Sequence, residues 1–153
     1  MRMGLLYGAG SPGESLSPET IDVAILNVEG ATLTAGLPAV FTNLAASLDG
    51  AQAVLPKTTC QRMFAGIVLR SIPNNGVGLV RAYGLVNSVA IFATGASNTV
   101  AIDAALGVGV TGSLGVNSTG LLTQHPGIVI AAEAIGAAVN SPGGYARGFV
   151  KCL

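Results

Sequence analysis

Apolar residues along this chain come in short runs separated by turn residues. The longest such stretch, Met63 to Phe92 (MFAGIVLRSIPNNGVGLVRAYGLVNSVAIF), predicts two or three long β-strands joined by tight turns. Its runs are rich in Ile, Val, Leu, Phe and Tyr, which suit a pleated, half-buried surface. Pro73, Asn74, Asn75 and Gly76 interrupt them, and Asn-Gly supplies the positive φ angles of a tight turn, so a hairpin is predicted there. Gly and Ala within both arms let backbones approach closely. Everything else reads as additions to this sheet.

Taken in order, residues 1–20 carry Gly4, Gly8, Gly10, Pro12, Gly13 and Pro18 and no sustained period, which reads as an extended arm or a tail. As an arm it would dock Leu5, Leu6 and Tyr7 on a neighbour. Ile21 to Val28 predicts a strand buried on both faces. After a turn at Glu29-Gly30, Ala31 to Thr42 predicts an interrupted strand with a bulge or edge at Gly36 and Pro38. Asn43 to Lys57, cut by Gly50 and Pro56, reads as a loop with at most one helical turn. Val100 to Leu106 reads as a strand or as a short helix capped by Asn98. Gly107 to Val116 alternates Gly with Val or Leu, giving one almost bare sheet face. Ile128 to Ile135 predicts a strand. The last strand, Tyr145 to Leu153, sets Tyr145, Arg147, Phe149 and Lys151 against Ala146, Gly148, Val150 and Cys152, an outer face and an inner one. The expected architecture is all-β, a single compact β-barrel or sandwich over residues 21–153 with an extended N-terminal arm over 1–20.

Composition changes this picture in one respect. Only 9% of the 153 residues are charged, against about 25% in an average domain, and 50% are hydrophobic. Too few charges remain to cover a monomer, so either Ser, Thr, Asn and Gly cover it or much of the surface is buried against other chains, the reading adopted here. A formal net charge of zero opposes phosphate neutralisation along a nucleic acid. The charges are unevenly placed: residues 1–50 hold Glu14, Glu19, Asp22, Glu29 and Asp49 against Arg2, while residues 51–153 hold six cations against Asp103 and Glu133. An acidic front and a basic body attract, within a chain or between neighbours. The first ten residues lack a secretory apolar run, so the protein is expected to stay where it is made. Gly84 to Val116 comes closest to membrane-spanning length, but Asn87-Ser88, Thr94 to Thr99 and Asp103 break it.

Candidate chemistry is sparse. His125, the single histidine, precedes Pro126 in a loop-like segment, and no G-x-S-x-G elbow occurs. The carboxylates form no clustered metal motif, and GVGVTG lacks the dinucleotide-binding spacing, so neither a metal nor a cofactor is expected. Cys60 and Cys152 read as reduced thiols or as a late bridge. Arg62, Arg70 and Arg81 straddle the predicted hairpin, either as exposed strand ends or as a basic strip for an acidic partner.

The order of VEGATLTAGLPAVFT, FAGIVLRSI, GLVRAYGLV, GVGVTGSLGVNSTGLLT, HPGIVIAAEAI and YARGFVKCL resembles the small β-barrel decoration, or head cement, proteins of tailed bacteriophages over about 130 residues. That resemblance implies a structural virion protein without enzymatic activity. It implies a homo-oligomer, often a trimer, on the outer surface of the capsid, where it bridges major capsid proteins against internal DNA pressure. The family has no fixed residue signature to map, so the contact candidates are Leu5, Leu6 and Tyr7 of the arm, with Arg62 and Arg81 as electrostatic ones. The alternatives are another virion component, a tail or head-fibre base subunit, and a ligand- or carbohydrate-binding barrel. A shortage of aromatics, with no Trp and three Tyr, opposes the sugar reading.

Overall fold

The structure, a computed structural model, describes residues 19–42, 52–56, 63–92, 100–108, 114–116, 128–134 and 144–151. Nine strands join in one mixed sheet: β1 (Ile21–Asn27), β2 (Pro38–Phe41), β3 (Gln52–Val54), β4 (Phe64–Val68), β5 (Val77–Phe92), β6 (Ala105–Val108), β7 (Leu114–Val116), β8 (Val129–Ala131) and β9 (Gly144–Lys151). No helix occurs among the described residues, as the all-β expectation requires. The pairings close on themselves twice. The order β1-β3-β2-β4-β5 returns to β1, and β5-β7-β6-β8-β9 returns to β5, so two five-stranded rings share the 16-residue β5.

A ring of five strands encloses a narrow bore. The first is filled by Ile25, Leu33, Ala39, Ala53, Ala65, Val68, Ile72 and Val80, three of them alanines. The second core gathers Val86, Val89, Ile91, Leu106, Val108, Leu114, Val129 and Val150, and it also takes in Val40, Val54 and Ile67 from the first ring. Ala39 thus faces one core and Val40 the other, and Ala53 and Val54 divide in the same way. Strands β2 and β3 are apolar on both faces because each face meets a core. Part of the low charge content is therefore absorbed inside one chain.

Several expectations need correction. The predicted long strands are unequal: β4 has 5 residues and β5 has 16. They pair antiparallel at Ile67↔Arg81 and Val68↔Val80, but residues 69–76 connect them, a longer connection than the tight turn expected at Pro73–Gly76. The Pro73–Gly76 turn is present, with Asn75 at φ 59° and Gly76 N–H donating to the Pro73 carbonyl at 2.9 Å. It is stitched elsewhere, since Ile72 bridges Leu33 and Asn75 N–H donates to the Asn27 carbonyl. Asn87-Ser88 breaks the apolar run without ending β5; the β9 register simply shifts between Val86 and Val89.

β1 is not buried on both faces. Asp22 and Ala24 are exposed, whereas Ile25 and Asn27 point inward, because only one side of this strand meets a core. Where a loop was expected, β3 fills the gap between β1 and β2. Three residues are too few to show a period, and pairing on both edges holds them in place. Val100 to Leu106 is neither strand nor helix throughout: a turn closed by Ala104 N–H on the Ala101 carbonyl, with Asp103 at φ 65°, leads into β6. β8 stops at Ala131, where the chain turns toward Glu133.

Other expectations hold. Pro38 opens β2 as its first residue, and a bulge follows between Ala39 and Val40. The glycine-alternating stretch 107–116 is divided between two strands, where Gly107 pairs with Gly115 across β6 and β7, and residues 109–113 lie outside the described residues. In β9, Tyr145, Arg147 and Lys151 are exposed and Phe149 half-buried, while Ala146, Gly148 and Val150 are buried.

Candidate functional site

Alternation along β5 builds the most conspicuous surface. Val77, Leu79, Arg81, Tyr83 and Leu85 point outward, while Val80, Ala82 and Val86 are buried. On β1 the outward residues Leu26, Ala24 and Asp22 stand opposite Val77, Leu79 and Arg81. This makes two apolar cross-strand pairs followed by an ion pair. Val77 is 73% exposed and Leu79 50%, high values for branched side chains on a sheet, and Leu85 at 36% extends the stripe. Beyond Arg81, Tyr83 meets Phe149 of β9 edge to face, with ring centroids 5.2 Å apart at 81°. The stripe therefore runs over both rings along their common strand.

Arg81 sits near the middle of that stripe and not at a strand end. Its Nε–H and Nη2–H donate to the two Asp22 carboxylate oxygens at 2.6 and 3.2 Å, and its Nη1 donates to the Leu85 carbonyl at 2.7 Å. Here the acidic front and the basic body meet within one chain. Much of the charge offered as an electrostatic contact is spent on Asp22. Arg70 is exposed in the β4–β5 connection. Leu5, Leu6, Tyr7, Arg62, His125, Cys60 and Cys152 lie outside the described residues.

Beside Arg81 the β5 bulge opens a cleft of about 290 Å³ bordered by Gly36, Leu69, Leu85, Asn87 and Ser88. Its polar groups are a guanidinium, a carboxamide and a hydroxyl. Among the described residues no carboxylate, imidazole, thiol or amine lines it, so these offer hydrogen bonds without a side chain suited to general-base work near neutral pH. A second ion pair joins Arg147 of β9 to Glu133 after β8. Arg147 Nε–H reaches Oε2 at 3.0 Å and its backbone N–H reaches Oε1 at 2.8 Å. The backbone hydrogen bond, then the side-chain one, hold the Glu133 carboxyl below the usual glutamate range despite a small opposing effect of desolvation. Among the described residues, no three of His, Cys, Asp and Glu gather as a metal-holding group. No described helix is long and apolar enough to cross a membrane.

No family model matches the chain, and no curated protein is similar to it in sequence. The outward stripe was not read from the sequence because Val77 and Leu79 lie in a run of apolar residues where the inward and outward sets look alike. The signal available was Gly78: a small residue between two large ones marks the crowded inner side.

Proposed function

We propose that this chain is a structural, non-enzymatic protein of a phage particle that binds the outside of the head and bridges neighbouring major capsid proteins, with the outward stripe of β5 as its contact face. The observation that carries this reading is the set of exposed branched side chains on the paired strands β1 and β5, Val77 and Leu79 opposite Leu26 and Ala24. A contact face on a strand shared by two closed rings changes shape little on binding, which limits the ordering cost of association. The resemblance to head cement proteins supplies the partner, the location on the virion surface and a homo-oligomer, often a trimer in that family. Among the described residues, no aromatic side chain borders the cleft at Asn87 and Ser88, so these give the carbohydrate reading no support.

The test is copy number in purified particles, by quantitative mass spectrometry with the major capsid protein as internal reference. About one copy per capsid subunit supports the proposal. Absence from particles overturns it, and a few copies per particle point to a tail or fibre subunit. Leu79→Asp, on an exposed position, is expected to empty the particle of this chain while leaving its fold intact.

A further inference from the structure

Among the described residues, only part of β1 is paired on its second edge. Along one edge it pairs with β5 from Ile21 to Leu26; along the other it meets β3 only at Leu26 and Asn27. Successive residues of a strand direct their N–H and C=O groups to alternate edges. Asn27 N–H bonds to the Gly76 carbonyl on the β5 side, and Val28 N–H to the Ala53 carbonyl on the β3 side. Odd residues of β1 therefore serve β5, and even residues face β3. The β-bulge near Ile21 inserts its extra residue, Ala82, into β5, so this parity holds back to Asp22. The backbone N–H and C=O of Asp22 and Ala24 consequently point to an edge on which no described residue pairs with them, and both residues are exposed.

We infer that this edge pairs with the same edge of a second copy, antiparallel and two-fold symmetric about Val23, so that Asp22 of each copy exchanges hydrogen bonds with Ala24 of the other. Three features select that arrangement. Centring on Val23 uses all four open backbone groups of each copy at once. It sets each Asp22 beside an alanine, whereas a one-residue displacement of the centre toward Asp22 sets carboxylate against carboxylate, which opposes pairing. And Glu19 and Thr20, the described residues that lead into β1, lie against Gly84 of β5 and not along that edge. The pairing also lays the two outward stripes side by side. Val77, Leu79 and Ala24 of both copies then form one wider apolar face, which makes the contact a means of doubling the surface proposed above. The contact stands on the geometry of β1 alone and does not require that the partner of that surface be a capsid.

Ala24→Pro tests it. Proline removes the N–H that faces the open edge and touches none that β1 gives to β5, a substitution an edge strand tolerates. Light scattering of the full chain over a concentration series is expected to give an even multiple of the 15.1 kDa chain mass, six chains where the two-fold contact joins two of the trimers that the resemblance implies, and Ala24→Pro at least to halve it. Amide exchange keeps the test open should that variant fold poorly. In the unaltered protein the Asp22 and Ala24 amides are expected to exchange at least tenfold more slowly at high than at low protein concentration. A monomer at every concentration, an odd multiple, a mass that Ala24→Pro leaves unchanged, or exchange at Asp22 and Ala24 independent of concentration would each overturn the inference. Loss of the chain from particles with the even multiple retained would instead count against the capsid reading alone.

Discussion

Asp22 and Arg81 stand directly opposite each other on β1 and β5 and are joined by two hydrogen bonds of 2.6 and 3.2 Å. With side-chain exposures of 29% and 18% they are screened less than an open surface pair. Arg81→Ala is expected to lower the unfolding free energy by about 1–2 kcal/mol in urea denaturation. Arg81→Lys is expected to recover less than half of that, because a single ammonium cannot reproduce the fork that also reaches the Leu85 carbonyl.

Gly66 and Gly30 both have positive φ, 147° and 86°, yet their surroundings differ. A methyl group at Gly66 would lie 2.5 Å from the Arg81 carbonyl oxygen, whereas one at Gly30 would meet nothing within 4 Å. Gly66→Ala is expected to destabilise by about 3 kcal/mol or more, since β4 must move off β5. Gly30→Ala is expected to cost only about 1 kcal/mol, the conformational part alone. Parallel thermal melts compare the two, and equal losses would contradict the close approach of β4 to β5.

Asn27 is fully buried and uses its amide three ways: Nδ2 donates to the Ala31 and Ile72 carbonyls at 2.7 and 2.9 Å, and Oδ1 accepts from Glu29 N–H at 2.9 Å. It fastens the end of β1 to the β1–β2 and β4–β5 connections. Asn27→Leu withdraws all three bonds inside the protein and is expected to cost about 3 kcal/mol. Chemical denaturation measures the loss, and a change below about 0.5 kcal/mol would remove this role.

Glu133 gives a pH-dependent end to the β8–β9 ribbon. Its folded-state pKa is depressed, so its contribution is complete above the unfolded glutamate value of about 4.3 and is lost as pH falls through the lower folded value. Faster amide exchange at Ala132 and Arg147 is therefore expected in that acid window. Glu133→Gln is expected to flatten the dependence. An unchanged profile in the variant would assign it to other groups.

Strand existence was legible wherever a run was long or alternating. The inner and outer faces of β9 follow from Tyr145, Arg147 and Phe149 set between Ala146, Gly148 and Val150, because small and long residues take opposite sides of a pleat. Face was illegible where both sides are apolar, as at Ala39 and Val40, since the division between two cores leaves no polar residue as a marker. β3 was missed because Gln52–Val54 owes its conformation to pairing partners distant in sequence. Asn75-Gly76 signalled a turn correctly but not its partner, Asn27 at the end of the neighbouring strand β1, which is distant in sequence. At the proposed contact face, Arg81 was recognised as a candidate while the exposed Val77 and Leu79 around it were not. Hydrophobicity shows a preference for burial without showing which faces remain to be covered.

Sharing β5 also fixes how the molecule carries a mechanical load. Two domains joined by a linker yield first at the linker, and two packed side by side shear along their interface. Here a pull on β1 or β4 reaches β9 and β7 through one unbroken backbone, with ladder hydrogen bonds on both sides of it. Neither ring can be drawn away from the other without stripping a strand out of its own closed sheet. Tension therefore spreads over many hydrogen bonds at once, and the two rings bear it as one body.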